Sequence, residues 1–199
     1  GIAGMKVQLL IVYYSRHGAV AALAEKIAIG AQQVGAEVNI RTVPALDGSV
    51  FGLHPQLTEQ DLLEADAFAF GSPVRFGNMA APLKAFWDST SNLWIKGALM
   101  DKPAGVFTSS GSMHGGNEAN LLSMMLPLLH HGMLILGLPY SEPELHHTQT
   151  GGTPYGPSHV SGLAGANQLT KDEHQLAIQF GKRLALAAIA LKTSGFTTL

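Results

Sequence analysis

Apolar runs alternate with helical periodicities along this chain. Five short runs are rich in β-branched and aromatic residues, a pattern typical of strands that are buried on both faces. They occupy residues 6–14, 36–43, 65–72, 102–110 and 133–140. The segments between them place apolar residues every three or four positions, as on one face of a helix. The alternation predicts a parallel sheet that helices cover on both sides.

The predicted helices cover residues 19–35, 78–90, 119–132 and 170–192, with a brief helix after Thr58. Thr58 and Thr170 each precede an acidic side chain by three residues, Asp61 and Glu173, as in a capping box. Five strands and five helices indicate a flavodoxin-like, three-layer αβα sandwich. We expect a five-stranded parallel sheet in the order 2-1-3-4-5, within one domain over residues 1–199. Residues 1–4 are expected to be a tag remnant or a flexible terminus.

The predicted helix at 119–132 is apolar all round its circumference, so it needs cover on more than the sheet side. Two interpretations stay open: a partner subunit covers it, or it is a kinked helix, bent at Pro127, inside the monomer. Residues 139–169 are predicted to form a long loop without regular structure, a length at which loops tend to be functional or disordered.

Composition narrows the function classes. Charged residues are only 13% of the 199 residues, against ~25% in a typical domain, which indicates an oligomer with covered surface. The net charge of −2 provides no basic field for nucleic acid or anionic lipid, and no apolar run reaches the ~20 residues of a membrane span. Cysteine is absent, which removes thiol chemistry and agrees with a cytoplasmic setting.

Ligands of such sheets lie outside the carboxyl ends of the strands, where the strand order reverses. In the predicted order, that crevice is bounded by the loops after the first, third and fourth strands. These are loop one (residues 15–20), loop three (73–78) and loop four (109–116), which are the most polar, glycine-bearing loops of the chain. The sequence therefore predicts a binding pocket between these three loops.

Loop one precedes a helix, whose free N–H groups and partial positive charge suit a phosphate. Ser15 could add a hydroxyl hydrogen bond, or it could merely cap the helix, and both interpretations stay open. The chain has neither the triphosphate-binding glycine–lysine motif nor G-x-G-x-x-G, so a mononucleotide remains. A flat ring between loops three and four would make that mononucleotide FMN. The backbone donors that could face the ring edge belong to Arg75, Phe76, Gly77 and Asn78.

Several other chemistries fit less well. Taken singly, Phe76 could be an ordinary packing residue and Arg75 a surface cation. A serine hydrolase motif would place Met113 at the nucleophile, and the string Tyr13–Tyr14–Ser15 lacks the acidic residues of a phosphorelay receiver. The nine histidines show no metal-ligand spacing, so no metal site is predicted, and most of them are expected at the surface or in loops.

Five strings, "YYSRHG", "GSPVRFGNM", "LWIKGAL", "HHGM" and "GGTPYG", occur in this order along the chain. Together they resemble the WrbA-type NAD(P)H:quinone oxidoreductases, which are flavodoxin-like FMN enzymes, over residues 6–190. The resemblance implies tightly bound FMN, NADH or NADPH as co-substrate, and ping-pong transfer of hydride to flavin N5 and then of two electrons to a quinone. It also implies a homotetramer with sites near subunit contacts, and a "GGTPYG" segment that closes over the site or reaches a neighbour.

Matching positions assign the site residues that the resemblance implies. His131 is the flavin-side histidine and a possible proton donor to reduced quinone, no side chain acts as a covalent nucleophile, and His17 and Trp94 face the substrates. The cofactor-binding positions, together with those from the pocket argument, are Ser15, Arg16, His17, Gly18, Ala19, Val20, Pro73, Val74, Arg75, Phe76, Gly77, Asn78, Ser109, Ser110, Gly111, Ser112, Gly115 and His131.

Three departures from the family pattern change the contacts that it implies. Val74 stands where a threonine is common, His17 stands where a stacking tyrosine is frequent, and loop four is one residue longer than usual, which shifts the match beyond Ser112. Two other functions remain as alternatives on the same fold. One is a flavodoxin-type electron-transfer protein without its own NAD(P)H turnover, and the other is a flavin-free structural protein.

Overall fold

The computed structural model describes residues 6–162 and 166–196, so the predicted tag remnant or flexible terminus at 1–4 lies outside the described residues. The described chain alternates between strands and helices. The strands are β1 (Gln8–Tyr13), β2 (Glu37–Thr42), β3 (Ala67–Arg75), β4 (Asn78–Met79), β5 (Pro103–Ser110), β6 (Leu134–Ile135) and β7 (Ser158–Val160). The helices are α1 (Ala19–Gln33), α2 (Glu59–Glu64), α3 (Ala81–Asp88), α4 (Ser91–Ile95), α5 (Asn117–His130), α6 (Glu144–His147) and α7 (Lys171–Ser194).

The sheet is parallel along its main path, which confirms the predicted α/β class. The strand order is β2-β1-β3-β5-β6, with β4 antiparallel to β3 and β7 parallel to β5. The predicted count of five strands and its order 2-1-3-4-5 are wrong, because the described residues form a seven-stranded sheet. The two additional strands, β4 and β7, are two and three residues long, too short for a period-two pattern to reveal them.

The free edge of β5 is shared between two short strands. β6 pairs with Pro103 and Ala104 at the start of β5, and β7 pairs with residues 108–110 at its end. Of the strand predicted at 133–140, only Leu134 and Ile135 pair in the sheet. The expectation that 139–169 lacks regular structure is also wrong, since this stretch contains α6 and β7. The residue that follows its "GGTPYG" segment lies along the same edge, where the Thr108 N–H donates to the Pro157 carbonyl at 3.1 Å.

Alternate residues of the strands enter two separate cores, as expected for a sheet covered on both faces. On one face, Leu9, Ile11 and Tyr13 of β1 pack in a core with α1 and α7. On the other, Leu10 and Val12 pack in a core with α2, α3, α4 and α5. The result is the predicted three-layer arrangement. No helix in the described ranges is long and apolar enough to cross a membrane.

The starts of helices α2 and α7 follow local side-chain chemistry. Both predicted capping boxes are present, at Thr58 with Asp61 and at Thr170 with Glu173. The helix predicted from residue 78 instead begins at Ala81, because residues 78 and 79 pair back onto β3. Helix α5 continues past the proline at 127 to its end at 130.

Helix α5 is neither fully covered nor fully exposed. Leu121, Met124 and Leu128 are buried against the sheet, whereas the side chains of Leu122, Leu126 and Leu129 are 47%, 55% and 58% exposed. The interpretation that the whole helix is buried inside the monomer is therefore wrong. An apolar face of α5 remains exposed in the single chain.

Helices α1 and α7 touch at two glycines that have no room for a side chain. A Cβ added to Gly181 would lie 1.9 Å from the Ile27 carbonyl oxygen, and one added to Gly30 would lie 1.8 Å from the Ile178 carbonyl oxygen. Because real carbon atoms never approach so closely, the two backbones set the distance between these helices.

We predict that Gly181→Ala lowers the free energy of unfolding by about 1–3 kcal/mol, because the methyl group forces the helices apart. In an uncrowded helix, the same change would raise stability by about 1 kcal/mol, so the sign of the effect identifies the contact. Urea unfolding followed by circular dichroism measures it. Gln33→Ala on the exposed face of α1 is the control, and a stabilised G181A variant would contradict the prediction.

Candidate functional site

Loops one, three and four meet at the carboxyl edge of β1, β3 and β5, as predicted. They surround a cavity of about 420 Å³, hereafter the loop cavity, which falls in the ~300–1,000 Å³ range of small-molecule sites. Its lining residues are Ser15, Arg16, His17, Ala19, Val20, Pro73, Val74, Arg75, Ser109, Ser110, Gly111, Ser161 and Asn167. Most of the residues predicted from the three loops therefore lie around one space.

Helix α1 begins at the loop cavity without a side-chain cap. Its N-cap is Gly18, whose φ of 99° lies in the left-handed region that favours glycine. The Ser15 hydroxyl accepts a hydrogen bond from the Gly18 N–H at 3.1 Å, so it holds the turn before the helix rather than the first helical turn. Within the described residues, no side chain caps this first turn, which leaves backbone donors at the cavity for a ligand.

The charge of the loop cavity suits an anion. Among the described residues that line it, Arg16 and Arg75 are cationic and none is a carboxylate. The Arg16 guanidinium lies 5.6 Å from the centre of the Phe51 ring, a cation–π distance. This contact keeps the Arg16 head group beside loop one. Two cations and an uncapped helix start together provide what a phosphate monoester requires.

Loop three is a tight hairpin rather than an open loop. Arg75 pairs with Asn78 across the β3–β4 ladder, which leaves Phe76 and Gly77 as the two turn residues. Their φ angles are 52° and 80°, as a two-residue type I′ turn requires. The Phe76 side chain is fully exposed. Four residues were predicted to present backbone N–H donors to a flat ring. Phe76 and Gly77 form the turn, and Arg75 and Asn78 pair with each other across the strands.

A buried polar network lies beneath the hairpin. The Asn120 side-chain amide donates to the Thr108 hydroxyl at 2.8 Å, which donates to the Ser72 carbonyl at 2.6 Å. The Ser72 hydroxyl in turn accepts the Ala80 N–H at 2.8 Å. Since these groups are buried, each missing bond would be costly. The network fixes the ends of β3 and β5, from which loops three and four start.

Trp94 and His131 lie in a second, larger cavity of about 810 Å³, hereafter the tryptophan cavity, on the other side of the hairpin. Asn78 lines it too, so three of the predicted site residues are separated from the loop cavity within one chain. The Trp94 indole N–H donates to the His130 carbonyl at 2.9 Å, and the side chain is half exposed. An accessible aromatic wall of this kind can stack a flat molecule.

The hydrogen bonds of His131 identify its tautomer. The Thr90 hydroxyl donates to the Trp87 carbonyl at 2.7 Å, so its oxygen accepts from His131 Nε2–H at 2.9 Å. Burial, together with neighbouring His130, lowers the pKa of His131 below its ordinary value. At neutral pH the ring is therefore uncharged, and Nδ1 is the atom that can take up a proton.

Two lining residues of the loop cavity were not predicted from the sequence, namely Ser161 and Asn167. Both follow β7, so no strand–loop–helix pattern marks them. Five predicted residues do not line either cavity: Gly18, Phe76, Gly77, Ser112 and Gly115. Of these, Gly18 shapes loop one and the others belong to the turn of the hairpin and to loop four. Within the described ranges, no group of three or more histidine or acidic side chains could hold a metal ion.

A buried ion pair between His159 and Glu173 lies close in the chain to the two unpredicted residues, Ser161 and Asn167. His159 Nδ1–H donates to the Glu173 carboxylate at 2.9 Å and Nε2–H donates to the Ala166 carbonyl at 2.8 Å, with the side chains of the pair 2% and 0% exposed. Because both partners of the ring only accept, the imidazole carries both protons. Burial alone would lower the His159 pKa, but the bonds to Glu173 and Ala166 outweigh it and the pKa is raised. Burial opposes the Glu173 charge too, yet its hydrogen bonds lower that pKa overall.

Comparison with known proteins agrees with this geometry. The family described as NADPH-dependent FMN reductase matches residues 5–142. The chain belongs to this family. A relative from Geotalea daltonii named NAD(P)H dehydrogenase (quinone) is 43% identical over 92% of this chain and 98% of its own length. One of the same name from Solidesulfovibrio magneticus is 40% identical over 89% and 95%.

Solved structures of other members of the fold agree as well. A flavodoxin described as a WrbA-like protein, from Agrobacterium tumefaciens, superposes with a TM-score of 0.70 at 26% identity, over 92% of this chain and 97% of that one. A flavodoxin from the domain Archaea reaches 0.64 at 20% identity, over 91% and 98% of the two chains, which shows the fold alone. The resemblance predicted from the five sequence strings is confirmed by these relatives.

We predict that the His159–Glu173 pair gives the fold a bell-shaped stability profile. The raised His159 pKa contributes stability that is complete below the ordinary value of 6.5 and is lost as pH rises through the folded-state pKa. The lowered Glu173 pKa contributes stability that is complete above 4.5 and is lost as pH falls through its folded-state pKa. The difference in unfolding free energy between the wild type and His159→Gln should therefore peak between these values.

Urea unfolding at a series of pH values measures that difference. A His174→Gln variant is the control, because His174 lies on the same helix as Glu173 outside the ion pair. A difference between wild type and H159Q that stays constant from acid to alkaline pH would contradict the charged state of the pair.

Proposed function

We propose that this protein is an FMN-dependent NAD(P)H:quinone oxidoreductase, which takes hydride from NADH or NADPH and reduces a quinone by two electrons. The observation that carries the proposal is the 40–43% identity, over nearly the full length of both chains, to proteins named NAD(P)H dehydrogenase (quinone). The geometry supports it through a loop cavity suited to a phosphate, beside an aromatic cavity suited to flat substrates.

The residues of the loop cavity fit FMN. The uncapped start of α1, the Ser15–Gly18 turn and the Arg16 guanidinium would hold the phosphate. Loops three and four would hold the remainder of the molecule, with Val74 and Arg75 on one side and Ser109 on the other. When bound, FMN supplies the two-electron redox chemistry of the reaction, and the protein binds and orients the reactants.

The tryptophan cavity supports a substrate site. Its 810 Å³ would admit a quinone or a nicotinamide, and Trp94 offers an aromatic surface to either of these flat rings. His131 is neutral at pH 7 and is oriented by Thr90, so its Nδ1 could exchange a proton with a reduced quinone. No side chain is needed as a covalent nucleophile.

A homotetramer is part of the proposal. The exposed faces of α4 and α5 carry several apolar side chains, of which Trp94 and Leu126 line the tryptophan cavity: Trp94, Ile95, Leu122, Leu126 and Leu129. An exposed apolar patch of this kind is typical of a subunit contact. Contact between copies at this face would cover the exposed apolar side chains beside the tryptophan cavity. Light scattering of the purified protein, with Leu126→Glu as the disruptive variant, tests the assembly.

Titration with FMN followed by steady-state kinetics tests the function. The purified protein should take up one FMN per chain with a flavin visible spectrum, and it should oxidise NADH or NADPH when benzoquinone is added. Parallel double-reciprocal plots are expected, since the two substrates share one site in turn. Saturable FMN uptake without catalytic NAD(P)H oxidation would instead favour an electron-transfer flavodoxin, and no FMN uptake would overturn the proposal.

We predict that Trp94→Ala raises the KM for benzoquinone by up to about tenfold, because the aromatic surface contributes about 0.5–1.5 kcal/mol to stacking a flat ring. FMN affinity should stay at the wild-type value, since Trp94 lies outside the loop cavity. Trp94→Phe is the matched control and should retain most quinone affinity. Unchanged quinone kinetics in W94A would reject the role of this side chain.

A further inference from the structure

The chain returns to the loop cavity a fourth time, after β7. Ser161 donates to the Ser110 carbonyl through both its N–H, at 2.9 Å, and its hydroxyl, at 3.1 Å. These two bonds join the end of β7 to the end of β5. The Asn167 side-chain amide donates to the His17 carbonyl, on the opposite wall. The segment after β7 thus contacts loop four at one point and loop one at another.

The contact of Asn167 falls on one particular peptide group. The His17 carbonyl accepts from Asn167, and the N–H of the same peptide group, which belongs to Gly18, donates to the Ser15 hydroxyl. Both ends of the peptide dipole are therefore held. Because this group immediately precedes α1, its orientation sets the direction in which the free N–H groups of the first helical turn point.

The residue that precedes Asn167 is anchored to the interior by a hydrogen bond. This residue, Ala166, accepts a hydrogen bond at 2.8 Å from His159, and His159 is paired with Glu173 in the interior. Asn167 is exposed, and its amide lies over Gly18, where an added Cβ would be 3.2 Å from the Asn167 side-chain nitrogen. An exposed side chain whose preceding residue is hydrogen-bonded to a buried histidine is suited to positioning a loop without taking part in the core.

We propose that Asn167 is a positioning residue that holds loop one in the conformation required to bind the phosphate of FMN. The inference rests on the proposed function, since it concerns the same cavity. Its hydrogen bond to the His17 carbonyl places Asn167 at loop one, which is the phosphate end of the site under the proposed function. It therefore distinguishes a phosphorylated flavin from the same flavin without its phosphate.

The test compares FMN with riboflavin, which has the same ring and ribityl chain and no phosphate. In Asn167→Ala, FMN affinity should fall about fivefold, the effect of one neutral hydrogen bond. Riboflavin affinity should change by less than about twofold, within the scatter of near-neutral surface changes. Asn167→Asp should lose more FMN affinity than N167A, because a carboxylate cannot donate to His17 and places negative charge beside the phosphate. Fluorescence titration of the apoprotein measures all of these affinities.

Gln168→Ala is the matched control, as it truncates the neighbouring exposed amide and should leave both affinities unchanged. Wild-type FMN affinity in N167A would overturn the inference while leaving the proposed function intact. A parallel loss of FMN and riboflavin would also overturn it, since Asn167 would then act on the whole cavity. Failure of the wild type to bind FMN would overturn the proposed function itself.

Discussion

Four hydrogen bonds converge on the buried carboxylate of Glu173. The arrangement of the segments between residues 151 and 173 depends on them. One oxygen accepts from His159 at 2.9 Å and from the Thr170 N–H at 2.8 Å, and the other accepts from the N–H groups of Gly151 at 2.9 Å and Val160 at 3.0 Å. An unpaired charge at this buried position would cost several kcal/mol of folding free energy. The carboxylate can therefore be buried only because these four donors are present. The "GGTPYG" segment, β7, the start of α7 and the segment holding Asn167 are thereby tied to one point.

This constraint explains why the last third of the chain was the hardest to predict. The sequence shows Glu173 as the acidic partner of a capping box, which is correct, because that interaction is local. Its contacts with Gly151 and His159 join residues 22 and 14 positions apart, and no periodicity encodes them. His159 lies in the stretch that was expected to be a long irregular loop, yet it is buried. Its burial depends on pairing with a carboxylate that is remote in sequence.

The sequence predicted the site residues whose position follows from the order of the strands. It did not predict those on the segment after β7, which reaches the cavity through a strand pairing that the sequence does not show. Parallel strands in a reversing order place the loops after β1, β3 and β5 at one edge, so apolar runs alone were sufficient to locate residues such as Ser15, Pro73 and Ser109. Asn167 reaches the same cavity only because β7 pairs with the end of β5. The separation of Trp94 and His131 into a second cavity was equally hidden, since the hairpin that divides the two spaces depends on positive φ angles at Phe76 and Gly77.

The helix starts show how the fold accommodates the site. Helices α2 and α7 begin with complete capping boxes, whereas α1 and α5, which begin after loops one and four, start at Gly18 and Gly116 without a side-chain cap. A good cap contributes about 1 kcal/mol, so the chain lacks local stabilisation at the two helices that begin after site loops. Helices α3, α4 and α6 also begin without a side-chain hydrogen bond, so a missing cap points to a ligand only at α1, where the helix start faces the loop cavity. At α1, the free donors are oriented by Ser15 and Asn167, which bind the peptide group just before the helix rather than the helix itself. The loop is thus held in place while its donors stay available to a ligand.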